Sequence, residues 1–440
     1  MPTENNFLPD IYVHQLPNQM RVAGMEYTRA PWLTLTFMAK RGAETDPLGK
    51  GGAADCLAEC LTLGSKDRDQ LELALTVEGR GALLKSYGSW DHTIVSVEGL
   101  AEDYEELLTL LAEIVQTPGF PPEEFAFLQE RRRAELIQAQ DDPRETATRT
   151  YLPLFFGDSP YGHPPDGSPD SLAALTLNDL QMFYQHNFHP EASTLVVVGM
   201  VPESKAVAAA TRLFGSWTVA TPPSPPYQQG LTTPRPPGIY LLDRPSLTQS
   251  EIRCGHLGQS RSHPDYFPLR LVNYIFGGGG FSSRLMMRLR AEKGLTYGVR
   301  SQFYFRRAPG PFIISTFTPA EHTALVVQEI KQVMQEVRTD GVNAAELADA
   351  QSYYVGSFPL SLETASGLAH QLIHIDLYDL GWDYLKTYRQ HITGVALAET
   401  SQVARRHLQP NDLVTLVVGP ADKCLIELEK LGAVSVITIP

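Results

Sequence analysis

Phe188-His189-Pro190-Glu191-Ala192-Ser193-Thr194-Leu195-Val196-Val197-Val198-Gly199 recurs in altered residues but the same frame. The second copy is Leu408-Gln409-Pro410-Asn411-Asp412-Leu413-Val414-Thr415-Leu416-Val417-Val418-Gly419. Each copy runs nine residues from its Pro to its Gly, follows a helical segment, and ends in a Val-rich run suited to a buried strand. Pro190 and Pro410 stand 220 positions apart, half of the 440-residue chain. Between the copies, Thr221 to Gly238 carries Pro222, Pro223, Pro225, Pro226, Pro234, Pro236 and Pro237. Proline at that density builds neither a helix nor a central strand and favours an extended linker. The chain therefore divides into residues 1–219, a linker at 220–237, and residues 238–440.

Within each half, strand patterns alternate with amphipathic helices. Trp32 to Met38 and Thr93 to Val97 predict strands, and Leu71 to Val77 and Glu105 to Val115 have helical spacing. In the second half Ile239 to Leu242 and Pro311 to Thr316 predict strands, with helices over Tyr266 to Phe276 and Ala324 to Arg338. Two such copies make an α+β or α/β sandwich in each half. A length of 440 residues agrees with two or more domains.

Composition excludes several function classes. At 43% hydrophobic and 20% charged, this is an ordinary globular sequence. A net charge of −14 argues against a nucleic-acid surface, which needs clustered Lys and Arg. The one basic cluster, Arg131 to Arg133, reads as the solvated face of an acidic-basic helix. No run approaches the ~20 apolar residues of a membrane span, and the polar opening Met1-Pro2-Thr3-Glu4 shows no export signal, so the expected compartment is the cytoplasm. Cys56 and Cys60, at i and i+4 of one helix, with Cys254 and Cys424, read as buried thiols.

Several clusters carry possible chemistry. Gly277 to Gly280 is followed by no Lys-Ser or Lys-Thr, so it reads as a turn and not a phosphate loop. His370 and His374 share a helix face near Asp376, but without a further ligand on that face they read as ordinary histidines. Asp91 and His92 are strand neighbours and point to opposite faces.

The most informative segment is Gly52-Ala53-Ala54-Asp55-Cys56-Leu57-Ala58-Glu59-Cys60-Leu61-Thr62-Leu63-Gly64-Ser65. Its frame resembles the His-x-x-Glu-His helix of the insulinase/pitrilysin zinc peptidases, in which two His at i and i+4 bind zinc and the Glu is general base. Aligned on Gly64-Ser65, the His positions hold Asp55 and Glu59, and the base position holds Ala58. Seventy-six residues after Glu59, Glu135 in Glu130-Arg131-Arg132-Arg133-Ala134-Glu135 stands where the family has its third ligand. Tyr161-Gly162-His163-Pro164 is similar to another family turn, and Ser86 to His92 to its substrate-pairing edge strand. Gly277 to Leu285 followed by Arg290-Ala291-Glu292-Lys293-Gly294-Leu295-Thr296-Tyr297 resembles the family's Gly-rich turn and Leu-Arg-Glu-Lys-x-Gly-Leu-Ala-Tyr. The likeness runs over nearly the whole chain, and the order and spacing of its motifs make it specific.

The resemblance implies two homologous α/β sandwich domains, each a sheet backed by helices, forming a half-clamshell. The first domain has a degenerate zinc motif. Three carboxylates without imidazole make a poor zinc site, and Ala58 accepts no proton, so no metal or cofactor is expected in this chain. In the family, an Arg and a Tyr matching Arg290 and Tyr297 face the zinc and stabilise the oxyanion of the scissile carbonyl; Gly294 is expected to end the Arg290 helix and Tyr297 to open the next strand. Some bacterial members are heterodimers, one subunit holding zinc and the other the Arg/Tyr pair. This chain resembles the second kind: inactive alone, binding peptide, and supplying Arg290 and Tyr297 to a homologous zinc-bearing partner. Two alternatives stay open, a scaffolding member without a catalytic role and a self-sufficient enzyme with an unrecognised site.

Overall fold

The two Val-rich repeats become strands in matching places of two six-stranded sheets. The computed structural model describes residues 9–222 and 235–438; the larger part of the proline-rich stretch, residues 223–234, lies outside the described residues. The first sheet contains β1 (Ile11–Gln15), β2 (Arg21–Glu26), β3 (Trp32–Ala39), β4 (Leu83–Gly88), β5 (Thr93–Leu100) and β6 (Ser193–Gly199), in the order β1-β2-β6-β3-β5-β4. The second contains β7 (Gly238–Asp243), β8 (Gln249–Leu257), β9 (Val299–Phe303), β10 (Pro311–Pro319), β11 (Val414–Gly419) and β12 (Val434–Ile437), in the order β12-β7-β11-β8-β10-β9. Repeat strand β6 pairs parallel to β2 and antiparallel to β3; repeat strand β11 pairs parallel to β7 and antiparallel to β8. Each sheet thus has the same inner arrangement, with β4 and β9 at equivalent edges.

Two compact units follow from this. The first comprises the described residues of 1–137, 163–229 and 358–386, and the second those of 138–162, 230–357 and 387–440. In the first unit, alternation sends Leu33, Leu35, Phe37, Val95, Val97, Leu195 and Val197 into one core. The helices Ala53–Cys60, Tyr104–Gln116 and Glu203–Phe214 pack on the strands of this sheet. The helix Ala365–Leu377 packs on β3 and β6. All of β6 is therefore buried, which is why its sequence is a continuous apolar run. Asp376 of that helix is not a metal partner of His370 and His374. Its buried carboxylate takes Arg21, Lys40 at 2.9 Å, and the Thr194 hydroxyl.

In the second unit the helix Thr323–Asp340 packs on β8 and β10. Pro143–Phe156 packs on β8 and β11, with the Tyr151 hydroxyl donating to Val414 O at 3.2 Å. The helix expected over Tyr266 to Phe276 is α-helical to Asn273 and continues as a wider π-turn over Tyr274–Gly278. Adding a Cβ at Gly277 would place it 2.6 Å from Ser301 Oγ and 2.8 Å from Leu285, so close packing requires the glycine. All four cysteines are buried and unpaired in disulfides, and burial pushes Cys56 and Cys60 up to about 12, leaving them inert thiols. Among the described residues no helix is long and apolar enough to cross a membrane.

One buried group of β8 ties this fold to pH. His256 Nδ1–H donates to Leu257 O at 2.9 Å, and Nε2 accepts the Gln409 N–H at 3.3 Å, so both ring nitrogens are satisfied only in the neutral form. Burial beside Phe312 pushes its pKa down from 6.5 to about 4. Between those values the unfolded chain binds a proton that the folded chain refuses. Stability is fully present above pH ~6.5 and falls as pH drops toward 4, by about 3 kcal/mol from this group. Urea unfolding at pH 7 and at pH 4 will show this loss, and His256→Gln will reduce the difference between the two pH values by about that amount.

Candidate functional site

The helix Ala53–Cys60 starts at Gly52, whose φ of +98° suits glycine and which has no side chain to cap the helix. Asp46 caps it instead: Oδ2 accepts the Gly52 N–H at 2.7 Å and Oδ1 the Ala54 N–H at 2.9 Å. His163, in the Tyr-Gly-His-Pro turn, lies 3.1 Å from Asp46 Oδ2. Burial raises the Asp46 pKa, opposed by His163 and the two backbone donors. Two separated motifs of the sequence thus meet at one helix end.

Asp55 and Glu59 lie one turn apart and face the helix Pro122–Ala139. Arg132 Nη1 sits 2.7 Å from Asp55 Oδ2, and Arg132 Nε sits 2.7 Å from Glu59 Oε2. Arg131 bonds the other oxygen of Glu59, and its Nη1 reaches Glu135 Oε1 at 2.8 Å. Asp55 Oδ1 also accepts the Gly88 N–H at 2.8 Å, tying the end of edge strand β4 to the motif helix. Ala58 is fully buried. The solvated-face reading of Arg131 to Arg133 is corrected here: the Arg132 side chain is only 15% exposed and pairs wholly with the motif helix, Arg131 divides between Glu59 and its own helix, and Arg133 pairs only within its own helix, with Glu130 at 3.7 Å. Burial opposes the charge of Arg132, but Asp55 and Glu59 outweigh it and raise the pKa above its ordinary value.

This donor set does not fit zinc. Two guanidiniums already pair with Asp55, Glu59 and Glu135 from within bonding distance, no imidazole is present, and Ala58 between the two motif carboxylates offers only a methyl. The arginines supply the cations that these carboxylates pair with.

Arg290 belongs to a π-helical turn, Met287–Glu292, which ends at Gly294 with φ +61°. Its guanidinium lies over the Phe281 ring at 4.7 Å. The expectation that Tyr297 opens a strand is corrected by two residues: β9 begins at Val299, and Tyr297 stands in the preceding turn, 78% exposed. Both side chains line one cavity of about 980 Å³ in the second unit. Its floor is one face of the second sheet, drawn by alternation from Glu251 and Arg253 of β8, Arg300 and Gln302 of β9, and Ile313 and Ser315 of β10. The Gly277–Gly280 turn forms a wall.

The sequence reading missed one further cluster. His263, Asp265 and His407 have ligand atoms within 4.8 Å of one another. Asp265 Oδ2 takes His407 Nε2 at 2.6 Å and Arg406 at 2.7 Å, and His263 Nδ1 accepts the Asp265 N–H at 3.0 Å. With these atoms committed to one another, the cluster ties the helix Leu397–His407 to the loop before Tyr266. The residues are 142 positions apart at most in one bond, a pairing no local spacing reveals.

Comparison with known proteins agrees with this geometry. The family model described as Insulinase (Peptidase family M16) matches residues 25–162, and that described as Peptidase M16 inactive domain matches residues 174–354. An uncharacterized zinc protease of Mycobacterium leprae is 24% identical over 405 residues, covering 92% of this chain and 91% of its own. The non-peptidase homolog YmxG of Helicobacter pylori is 23% identical over 419 residues, covering 93% and 94%. The crystal structure of a peptidase M16 inactive domain from Pseudomonas fluorescens superposes with a TM-score of 0.86 at 27% identity, covering 93% of this chain and 98% of that one. Relatives named as proteases and as a non-peptidase both match, and in this chain the helix Ala53–Cys60 holds carboxylates paired with guanidiniums. The chain belongs to the insulinase (M16 peptidase) family and is one of its non-catalytic members.

Proposed function

We propose that this chain is the non-catalytic subunit of a heterodimeric zinc metallopeptidase, binding peptide and lending Arg290 and Tyr297 to an active site whose zinc belongs to a homologous partner. The observation that carries this reading is the placement of both side chains at one cavity with their polar ends uncommitted. Among the described residues neither makes a hydrogen bond or ion pair through its side chain, and Arg290 is held only by its stack on Phe281. A phenol and a planar guanidinium at the rim of one cavity are suitable donors for the oxyanion that develops when a peptide carbonyl is attacked. The partner's zinc would supply the activated water. The outer edge of β4, paired on its other side to β5 and fixed at Gly88, offers free main-chain groups for strand addition by a peptide.

The purified chain is expected to hold no stoichiometric zinc and to cleave no peptide. Mixed with a homologue bearing His-x-x-Glu-His from the same source, it should co-elute on gel filtration and the pair should cleave. One zinc per chain with chelator-sensitive cleavage by the chain alone would overturn the reading.

A further inference from the structure

On this acidic protein one cavity gathers several arginines that have no carboxylate partner. The chain carries 50 Asp and Glu against 36 Lys and Arg, and the arginines at the degenerate metal site, like Arg68, Arg284 and Arg288, are each in ion pairs. The cavity of the second unit instead brings unpaired arginines together at one recess. Arg144, Arg290 and Arg300 all line it, and among the described residues none has a side-chain ion pair. Arg144 and Arg300 are exposed, one on the first turn of the helix Pro143–Phe156, the other on the outward face of β9 opposite Ser315.

The cavity's own carboxylates do not neutralise them. Glu251 is paired with the buried Arg253 at 2.9 Å. Asp142 caps the helix it precedes, Oδ1 accepting the Arg144 N–H at 2.8 Å. With Glu251 and Arg253 cancelling, three arginines face one aspartate across a recess of about 980 Å³. A concave, low-dielectric wall focuses such a field. The remaining lining adds apolar and aromatic contact from Phe281 and Phe317, suited to a polypeptide and not to a bare ion.

We infer that the cavity takes an acidic peptide segment, with Asp or Glu side chains meeting Arg144 and Arg300 while the main chain lies toward Arg290 and Tyr297. This rests on the peptide-binding reading above and names its substrate class. Two surface-type contacts of this kind together give a preference on the order of tenfold for carboxylate over amide side chains at low salt, fading as ions screen them.

The test is fluorescence anisotropy of the full chain with two labelled peptides of equal length. Both have amidated C-termini, so side chains alone carry charge; one has Glu at two alternate positions and the other Gln. The expected result is roughly tenfold tighter binding of the Glu peptide in 50 mM salt, shrinking in 0.5 M salt. Arg144→Gln and Arg300→Gln, both at exposed positions, should each cut the preference to about threefold, and the double variant should abolish it. Equal binding of the two peptides overturns the charge inference and leaves the peptide-binding reading standing. Binding of neither peptide removes both. A Glu preference that survives in the folded double variant places the anionic subsite elsewhere and overturns the proposal.

Discussion

Tyr297→Phe is expected to lower the turnover of the reconstituted pair by about 10²–10³-fold, the usual cost of one lost oxyanion donor. The substitution keeps the ring and removes only the hydroxyl. Because Tyr297 is largely exposed in a turn and no strand hydrogen bond depends on its side chain, folding and assembly should be unaffected. Arg290→Lys keeps the charge but loses the planar fork and the stack on Phe281, so it should be impaired as well. A donor used only in the transition state lowers kcat and kcat/KM together, whereas a residue that merely holds substrate raises KM. Steady-state kinetics on complexes checked by gel filtration distinguish the two. Wild-type turnover from an assembled Tyr297→Phe complex would make the pair structural and leave a scaffolding role as the reading to adopt.

Arg132→Met should destabilise the first unit by about 3 kcal/mol, the low end of the range for removing one partner of a buried ion pair. Asp55 would lose its only side-chain cation and Glu59 one of two, with Arg131 remaining on Glu59. That residual pairing, and partial solvent access at Glu59, hold the effect down. For a unit of this size the melting temperature should drop by roughly 6–12 °C, visible in calorimetry. Adding Asp55→Asn and Glu59→Gln to Arg132→Met removes the stranded charges and should recover a large part of the loss. A single variant as stable as the parent would mean the carboxylates are solvated without the guanidinium.

What the sequence made legible follows from period and spacing. The Val-rich repeats mark the inner strands because strands buried on both faces must be apolar throughout, as β6 and β11 are. The i, i+4 spacing of Asp55 and Glu59 places both on one helix face whatever surrounds them. Partnership across the fold was not legible. The helix Pro122–Ala139 has charges on every side, so nothing local shows which arginines dock, and the partners of Arg132 lie 73 and 77 positions away. Likewise, the amphipathic helix Ala365–Leu377 has a clear apolar stripe, but a stripe does not say which sheet it will cover; it covers β3 and β6, far earlier in the chain. The exposure of Tyr297 depends on where β9 starts, and a glycine at 298 leaves that boundary open by two residues.

The arginines at the motif helix also act as a ratchet on descent. A lost histidine alone is one substitution from return. Here, Asp55→His or Glu59→His by itself sets an imidazole against a guanidinium and takes a carboxylate partner from Arg132, with no metal gained in exchange. Building a His-x-x-Glu-His motif here requires new residues at Asp55, Ala58 and Glu59 and removal of both cations, Arg131 and Arg132, and a first step that removes either arginine strands the carboxylates it pairs with. The ion-pair network at this helix therefore makes a return to a histidine-bearing motif a concerted change of several residues, not a single step.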